Sequence, residues 1–326
     1  MNRRVFIAAS VCVFAAPVAA RAQRAGKVYR VGVLRPAPDN PRFRTDFDGF
    51  RQALRESGYV DGANLTIEYR MKSASQEQMI ALARELVRLT VDVILAIGPV
   101  SVTAAAALAP SIPVVAVDLE TDPVATGLVA SLARPGRNVT GLFLDFPELS
   151  GKWLQLLQEA VPRLSRVAVL WDPATGPAQL RAAEAAARTL RLQLQPVEAP
   201  QPKDLEPALQ LANKARAGAL LVLSSPVFNA FRKQIADLAT RHRLPTIMPF
   251  PGFAEDGGLM GYGPHLLEMF RQAGTHVVKV LNGVPAGEIP VERPSRFSLT
   301  INLKTAKLLG LTIPQPLLQR ADEVIQ

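Results

Sequence analysis

The chain has 326 residues, of which 48% are hydrophobic and 20% are charged, and its formal net charge is +9. At roughly 100–200 residues per domain, this length predicts two domains, each large enough for its own core. The balance of apolar and charged residues excludes a disordered chain, and the single cysteine excludes a disulfide scaffold or a multi-cysteine metal site. A nucleic-acid partner would require the positive charge to be concentrated on one surface.

The first 22 residues predict an export signal. Arg3 and Arg4 provide a positive start, residues 5–20 carry no charge, and Ala20-Arg21-Ala22 has the small-residue pattern of a cleavage site. The uncharged stretch is shorter than the roughly 20 residues that a membrane-spanning helix needs. We therefore expect cleavage after Ala22 and a periplasmic chain that is not embedded in the membrane. The paired arginines leave Sec and twin-arginine export open. Cleavage removes the cysteine and three arginines, which lowers the net charge from +9 to +6.

Strand-like and helix-like segments alternate along the remaining chain, which predicts an α/β fold with parallel sheets covered on both faces. In the first half, the predicted strands are 28–34, 65–69, 91–97 and 112–117, and helical spacing occurs at 43–57 and 75–89. The second half repeats this order, because 166–173 resembles 30–36, 219–226 resembles 91–99, and 244–249 resembles 112–117. Three matches in the same order predict two lobes of similar build, each a doubly wound parallel sheet.

Three segments are predicted to join the two lobes. They are residues 139–144, 258–263 and 296–302, which have the alternating or glycine-rich pattern of short connecting strands. Several short strands between two lobes make a multi-strand hinge, and a cleft between lobes is a preferred site for a small ligand.

Motifs for catalysis, cofactors and nucleic acids are missing from the sequence. No Gly-x-Ser-x-Gly elbow, Walker A loop or His-Glu-x-x-His motif occurs, and the three histidines are spread apart. We therefore expect no catalytic residues, no metal and no cofactor. Asp118, Glu120 and Asp122 form a carboxylate cluster at a strand end, which fits loop caps or ligand contacts better than acid–base catalysis. The basic residues are scattered, so we expect no nucleic-acid partner.

Candidate ligand contacts follow from the rule that ligands collect beyond the carboxyl ends of parallel strands. In the first half, the candidates are Arg35, Gly98, Pro99, Val100, Ser101 and Asp118. In the second half, they are Trp171, Asp172, Ser224, Ser225, Phe228 and Phe250, and Asp145 and Tyr262 lie near the predicted crossings. The turn that begins at Gly98 offers backbone N–H groups and a hydroxyl to an anion, and Asp118 offers a carboxylate to an amine. Each candidate also has a structural alternative, because an aromatic side chain fits the core and an aspartate fits a helix cap.

The chain resembles a known family through several long motifs in a fixed order. These motifs include GYVDGANLTIEYR at 58–70 and ARPGRNVTG at 133–141, and further matches lie at 122–129, 257–264, 301–311 and 320–325. On these residues, the chain is similar to the bacterial ABC-transporter substrate-binding proteins, a family that includes tryptophan- and tyrosine-binding lipoproteins. The resemblance extends over essentially the whole mature chain. One departure is the turn Gly98-Pro99-Val100-Ser101, where family members often carry more Thr or Ser.

The resemblance implies a type I periplasmic-binding fold with three hinge crossings and a ligand between the lobes. The expected N-terminal lobe comprises residues 27–142 plus about 264–295, and the expected C-terminal lobe comprises 143–263 plus about 296–326. The implied partners are a small ligand and an ABC permease with a cytoplasmic ATPase. We expect a monomer that binds a small carboxylate-bearing solute, with aromatic and amino-acid-like compounds among the candidates. A secreted α/β enzyme and a periplasmic sensor that presents its ligand to a receptor remain alternatives.

Overall fold

The computed structural model describes residues 26–72, 75–108, 110–144, 146–294 and 296–326. The predicted signal peptide and Asp145 lie outside the described residues. Two sheets with helices on both faces form two lobes, which confirms the predicted α/β class. No helix within these ranges is long and apolar enough to cross a membrane.

The first lobe is built on a parallel five-stranded sheet with the order β2-β1-β3-β4-β5. Its strands are β1 (Tyr29–Arg35), β2 (Leu65–Met71), β3 (Val93–Ile97), β4 (Val114–Asp118) and β5 (Val139–Phe143). The intervening helices are α1 (Pro41–Glu56), α2 (Gln76–Arg88) and α3 (Pro99–Leu108). The central strands β3 and β4 are buried along their whole length, as expected for apolar runs covered on both faces.

Helix α1 shows how the local sequence sets the elements that border the cleft. Asn40 caps the helix, because its Oδ1 accepts a hydrogen bond from the N–H of Phe43 at 2.8 Å, and Pro41 occupies the first turn. The helix thus begins two residues before the predicted start. Phe43, Phe47 and Phe50 lie on one face and are buried, as their three- and four-residue spacing predicts.

The second lobe repeats the first and then extends it. Its sheet has the order β7-β6-β8-β9-β10-β11-β12, in which only the β10–β11 pairing is antiparallel. The strands are β6 (Arg166–Trp171), β7 (Gln193–Glu198), β8 (Ala219–Val222), β9 (Thr246–Met248), β10 (Met260–Gly263), β11 (Ser298–Asn302) and β12 (Glu323–Ile325). The run β7-β6-β8-β9-β10 has the same order as the first sheet, which confirms the predicted duplication.

The remaining helices lie between these strands or follow them. They are α4 (Phe146–Ala160), α5 (Ala178–Leu190), α6 (Leu205–Lys214), α7 (Pro226–Ala230), α8 (Arg232–Arg241), α9 (Gly252–Glu255), α10 (Leu266–Leu281), α11 (Leu303–Leu308) and α12 (Gln315–Leu318). Short 3₁₀ turns occur at Pro173–Thr175, Pro202–Asp204 and Ala286–Glu288.

The chain passes between the two sheets after β5, after β10 and before β11. Helix α10 follows a strand of the second sheet but packs against α1 and the first sheet. Glycines allow this close packing, because a Cβ on Gly49 would lie 2.1 Å from the carbonyl oxygen of Leu267. After α10, Glu292 pairs with Leu142 beside β5, and the chain then returns to the second sheet.

Candidate functional site

The carboxyl ends of the two sheets face each other across a cleft that contains two cavities. An inner cavity of about 40 Å³ is lined by residues from both lobes. An outer cavity of about 500 Å³ lies next to it and is also lined from both lobes. Pro226 lines both cavities, and the consecutive residues Gly98 and Pro99 line the inner and the outer cavity respectively. The cleft is thus the predicted place for a ligand.

Arg35, the last residue of β1, supplies a positive charge to the inner cavity. Its side chain is buried, with 2% of the residue exposed, and its guanidinium lies 4.2 Å from the ring centre of Phe43. Nη1 donates a hydrogen bond of 2.7 Å to the carbonyl oxygen of Pro38, and no described carboxylate forms an ion pair with Arg35. Burial lowers its pKa to about 10, so the guanidinium stays charged at neutral pH. Asp39 and Asp46 act on this charge from a distance, and a buried cation with no carboxylate in direct contact suits an anionic ligand.

Glu120 brings a carboxyl group to the same cavity from the turn after β4. The hydroxyl of Ser224, in the other lobe, donates a hydrogen bond of 2.6 Å to Oε1 of Glu120. The N–H of Leu119 donates to Oε2 at 3.1 Å. Burial and the nearby charge of Asp118 raise the pKa of Glu120 to about 8. Glu120 therefore joins the two lobes and carries an ionisable group into the cavity.

Asp118, the predicted amine contact, lies behind this turn. Its oxygens accept hydrogen bonds from the N–H groups of Glu120 and Thr121 and from the hydroxyl of Thr121 at 2.6 Å. Burial raises its pKa to about 6. Asp118 lines neither cavity and acts as the cap of the turn, whereas Glu120 from the same sequence cluster lines the inner one.

At the turn after β3, the two lobes lie close together. Gly98 has a φ of +81°, and a Cβ on this residue would lie 2.6 Å from Cγ of Pro226 in the other lobe. Pro99 and Val100 line the outer cavity. Ser101 is fully buried and lines neither cavity, and its hydroxyl has no hydrogen-bond partner among the described residues.

The second lobe contributes a pair of serines held in place by neighbouring polar groups. Ser224 and Ser225 follow β8 and line the inner cavity. Gln179 fixes Ser224, since its amide donates to the Ser224 carbonyl at 3.1 Å and accepts from the Ser224 N–H at 2.9 Å. Asp172 lines the outer cavity, and its Oδ2 accepts a hydrogen bond of 2.7 Å from the hydroxyl of Ser225. Burial raises the pKa of Asp172.

The structure brings eight of the predicted residues to the cavities and places the other described candidates elsewhere. The inner cavity receives Arg35, Gly98, Ser224, Ser225 and Phe250, and the outer cavity receives Pro99, Val100 and Asp172. Phe228 is fully buried in the core, and Trp171 packs against the core. Tyr262 stacks on Phe297 with ring centres 6.2 Å apart, and it lines neither cavity.

Two aromatic residues of the inner cavity, Phe43 and Phe270, were not among the candidates predicted from the sequence. They line the cavity together with the predicted Phe250, and Asn229 adds an amide. The helical spacing of Phe43 correctly predicts a buried face, but that spacing does not reveal that the same face borders the cleft. Phe270 is on α10, which reaches this lobe only through the second crossing.

A group of ion pairs also spans the cleft beside the inner cavity. Nη1 of Arg42 on α1 lies 2.8 Å from Oε2 of Glu255 on α9. Nη1 of Arg232 on α8 lies 3.6 Å from Oδ2 of Asp46 on α1, and Arg232 also pairs with Asp256 in its own lobe. Asp46 is buried, and burial raises its pKa to about 7. Both lobes therefore contribute charges to the closed cleft.

Comparisons with known proteins agree with this arrangement. A tyrosine-binding protein of Clostridioides difficile (strain R20291) is 27% identical over 268 residues, which are 81% of this chain and 76% of the relative. The structure of a conserved domain protein from Vibrio cholerae O1 biovar El Tor has a TM-score of 0.83 and 24% identity, covering 91% of this chain and 100% of that one.

A second solved structure, the ABC domain from Streptococcus pneumonia in complex with L-Trp, has a TM-score of 0.81 and 22% identity, covering 91% of this chain and 99% of that one. These structural similarities confirm the type I periplasmic-binding fold. Residues 31–325 match the family described as ABC transporter substrate binding protein. The chain therefore belongs to the family of ABC transporter substrate-binding proteins.

Proposed function

We propose that this protein is the extracytoplasmic solute-binding component of an ABC importer. It captures a small carboxylate-bearing ligand between its lobes and presents it, chemically unchanged, to a permease driven by a cytoplasmic ATPase. The observation that carries this proposal is Arg35, a buried guanidinium without an ion-pair partner among the described residues, which lines a cavity to which both lobes contribute. A carboxylate bound there would form the direct ion pair that Arg35 lacks and could accept two parallel hydrogen bonds.

The walls of the cavity favour a ligand with an apolar part. Phe43, Phe250 and Phe270 surround the charged group, and aromatic side chains pack well against rings and aliphatic groups. The relatives named for tyrosine and L-Trp support an amino-acid-like or aromatic ligand. A cavity of about 40 Å³ has room for about three water molecules. A ligand with a ring would therefore hold the lobes farther apart than they are in this structure, or extend past Pro226 toward the outer cavity.

Hinge closure would couple binding to recognition by the permease. Polar contacts across the cleft include the hydrogen bond between Glu120 and Ser224, and the ion pairs of Arg42 with Glu255 and of Arg232 with Asp46. A hydrogen bond or a partly exposed ion pair contributes only about 1 kcal/mol. A ligand that touches both lobes would add to these contacts only in the closed form and would shift the population toward it.

We propose export to the periplasm with cleavage after Ala22, and a monomeric mature chain. We also propose lobe boundaries near residues 143, 263 and 295, which the positions of β5, β10, α10 and β11 support. Under this proposal, the mature protein has no enzymatic activity of its own.

A ligand screen tests this function. The purified protein is heated with aromatic and aliphatic amino acids, with aromatic and aliphatic carboxylates, and with the matching amides and alcohols. We expect a carboxylate to raise the melting temperature by several degrees at saturation, because a ligand at about 100 times its Kd adds about 2.7 kcal/mol. The uncharged analogues should have no effect, and mass spectrometry should recover the ligand unchanged. Conversion of the ligand to a product would instead favour a secreted enzyme.

A further inference from the structure

We propose that the second lobe carries a docking surface for an anionic phospholipid membrane, at the end of its sheet that faces away from the cleft. Four arginines form this surface, which we call the basic edge: Arg163, Arg191, Arg216 and Arg243. Each of them lies in a turn that leads from a helix into a strand of the second sheet. The inference goes beyond the proposed function and does not rest on it, because the ligand cleft lies at the opposite ends of the same strands.

The four turns lie side by side along one edge of the sheet. They precede β6, β7, β8 and β9, which are parallel and adjacent in the order β7-β6-β8-β9, so the amino ends of these strands share that edge. Backbone hydrogen bonds of 2.8 Å join the beginning of one strand to the turn or strand beside it, from the N–H to the carbonyl in these pairs: Gln193 to Ser165, Gly218 to Arg166, and Leu220 to Pro245. The basic edge is therefore one continuous surface.

The arginines of the basic edge are exposed, and none of the four forms an ion pair with a described residue. The segments that hold them contain eight Lys or Arg residues and no Asp or Glu, and these segments are 160–166, 186–193, 210–218 and 238–245. Of the eight, Arg241 pairs with Glu206 at 3.3 Å. Eight charges exceed the net charge of +6 that we expect for the mature chain. Basic residues that are scattered along the sequence are thus gathered by the fold at one end of the second lobe.

The needs of the helix ends do not explain the basic edge. A cation near the C-terminus of a helix interacts favourably with the last carbonyl groups, so a single arginine there could serve the helix alone. The first lobe shows that this fold does not require it, because α1 ends at Glu56 before Gly58, and Thr90 and Asp92 lie between α2 and β3. The four arginines also have φ values between +53° and +58°, a conformation that glycine adopts more easily, as Gly58 does. The guanidinium groups therefore point to a partner outside the chain.

The chemistry of the basic edge fits the phosphate groups of a lipid surface. A guanidinium binds a phosphate through two parallel hydrogen bonds, and an anionic leaflet attracts each nearby Lys or Arg. Leu211, 56% exposed in the last turn of α6, adds an apolar side chain that a bilayer accepts. The four segments contain no Phe, Tyr or Trp on which bases could stack, and the edge consists of turns rather than a helix or ribbon that enters a DNA groove. A membrane therefore fits this surface better than a nucleic acid does.

Co-sedimentation with lipid vesicles tests this inference. The purified chain is used without its predicted signal, because that apolar segment would bind any bilayer. We expect it to bind phosphatidylcholine vesicles that contain about 30% phosphatidylglycerol, and not pure phosphatidylcholine vesicles, at about 50 mM NaCl. Raising the NaCl concentration to about 300 mM should weaken binding at least about tenfold, because salt screens the attraction between exposed charges.

Two variants of equal charge locate the surface. The edge variant replaces the four arginines of the basic edge by Gln and should bind the anionic vesicles at least about 30-fold more weakly, because each arginine near such a leaflet contributes a factor of about five. The control variant replaces four exposed arginines of the first lobe by Gln, none of which forms an ion pair with a described residue: Arg55, Arg84, Arg88 and Arg134. It should bind within about threefold of the wild type, since these arginines lie away from the basic edge. Circular dichroism melts confirm that both variants fold, and Arg191→Gln with Arg216→Gln should give an intermediate loss.

Three outcomes would overturn the inference. The first is that the wild type does not bind the anionic vesicles, and the second is that the edge variant and the control variant lose binding equally, which would show that only the net charge matters. The third is that duplex DNA of random sequence, added at the same phosphate concentration, displaces most of the protein from the vesicles, because the edge would then take nucleic acid. None of these outcomes bears on the solute-binding function, which the ligand screen tests at the other end of the strands.

Discussion

Gly98 in the first lobe and Pro226 in the second lobe touch across the cleft, and only a residue without a side chain fits at this contact. A Cβ on Gly98 would lie 2.6 Å from Cγ of Pro226, a distance that real Cβ contacts essentially never show. Gly98 also has a positive φ of +81°, which non-glycine residues adopt at a cost of roughly 1–2 kcal/mol. The closed form therefore depends on glycine at this position.

The substitution Gly98→Ala should hold the lobes apart. The new methyl group meets a proline ring, so closure requires a shift of one lobe or of the turn. We expect ligand affinity to fall at least about tenfold, equivalent to about 1.4 kcal/mol, because part of the binding energy goes into forcing closure. Small-angle X-ray scattering of the ligand-saturated variant should give a larger radius of gyration than the ligand-saturated wild type.

Gly62→Ala is the matched control for this variant. Gly62 has nearly the same φ, +83°, but no atom lies within 4 Å of its Cβ position. It should lower the melting temperature through the same backbone strain and leave ligand affinity unchanged. Equal affinities for Gly98→Ala and Gly62→Ala would show that the contact with Pro226 does not limit closure.

The close packing of α10 on the first lobe predicts that a side chain at Gly49 destabilises the protein. An added Cβ would meet the backbone oxygen of Leu267 at 2.1 Å, and backbone atoms cannot move away as a flexible side chain can. We expect Gly49→Ala to lower the free energy of unfolding by about 1–3 kcal/mol, measured by urea denaturation.

Gly151→Ala in α4 should have the opposite effect and stabilise the protein. Its Cβ would make an ordinary contact of 3.5 Å with Cβ of Ala186, so only helix propensity changes. The free energy of unfolding of this variant should be higher than that of the wild type by about 0.5–1 kcal/mol. A loss of stability at Gly151 equal to that at Gly49 would argue against the close approach of α1 and α10.

Asp46 predicts a pH dependence of stability. Burial raises its pKa from 3.8 to about 7 in the folded chain. The folded state therefore binds the proton more tightly than the unfolded state, and Asp46 lowers stability progressively as the pH rises from about 4 to 7. Asp46→Asn cannot lose this proton. Its stability relative to the wild type should therefore improve by about 2 kcal/mol between pH 5 and pH 8.

Asp237→Asn is the control for the pH series. Asp237 is exposed on α8 and pairs with Lys233 at 3.0 Å, and an exposed ion pair of this kind contributes little to stability. Urea denaturation at pH 5 and pH 8 provides the comparison for both variants. Parallel pH profiles for the wild type and Asp46→Asn would contradict the buried position of this carboxyl group.

Much of the fold could be predicted from the sequence because apolar periodicity reports burial directly. The spacing of the phenylalanines in α1 predicted a helix, and the repeated strand patterns predicted two similar lobes. The two edge strands of the second sheet were harder to predict. Strand β7 (Gln193–Glu198) has mostly exposed or half-exposed residues, so it lacks an apolar run, and β12 (Glu323–Ile325) is only three residues long.

The site was predicted less completely than the fold, for a physical reason. The sequence correctly predicted a place at the cleft for Arg35, Gly98 and Ser224, because the ends of the strands can be recognised from the local sequence. For Glu120, the sequence indicated only a cluster of three acidic residues. It could not indicate which of the three side chains turns toward the second lobe. Phe270 could not be found, because its place at the cavity depends on the path of the chain through two crossings.

We propose that Arg35 anchors the carboxylate of a solute between the lobes. The most direct measurement is calorimetric titration of the carboxylate found in the screen into the wild type and Arg35→Met, with exposed Arg44→Met as the control. Loss of a buried, charge-assisted contact should weaken binding at least about 100-fold in Arg35→Met, and Arg44→Met should bind as the wild type does. Unchanged affinity in a folded Arg35→Met would contradict the account.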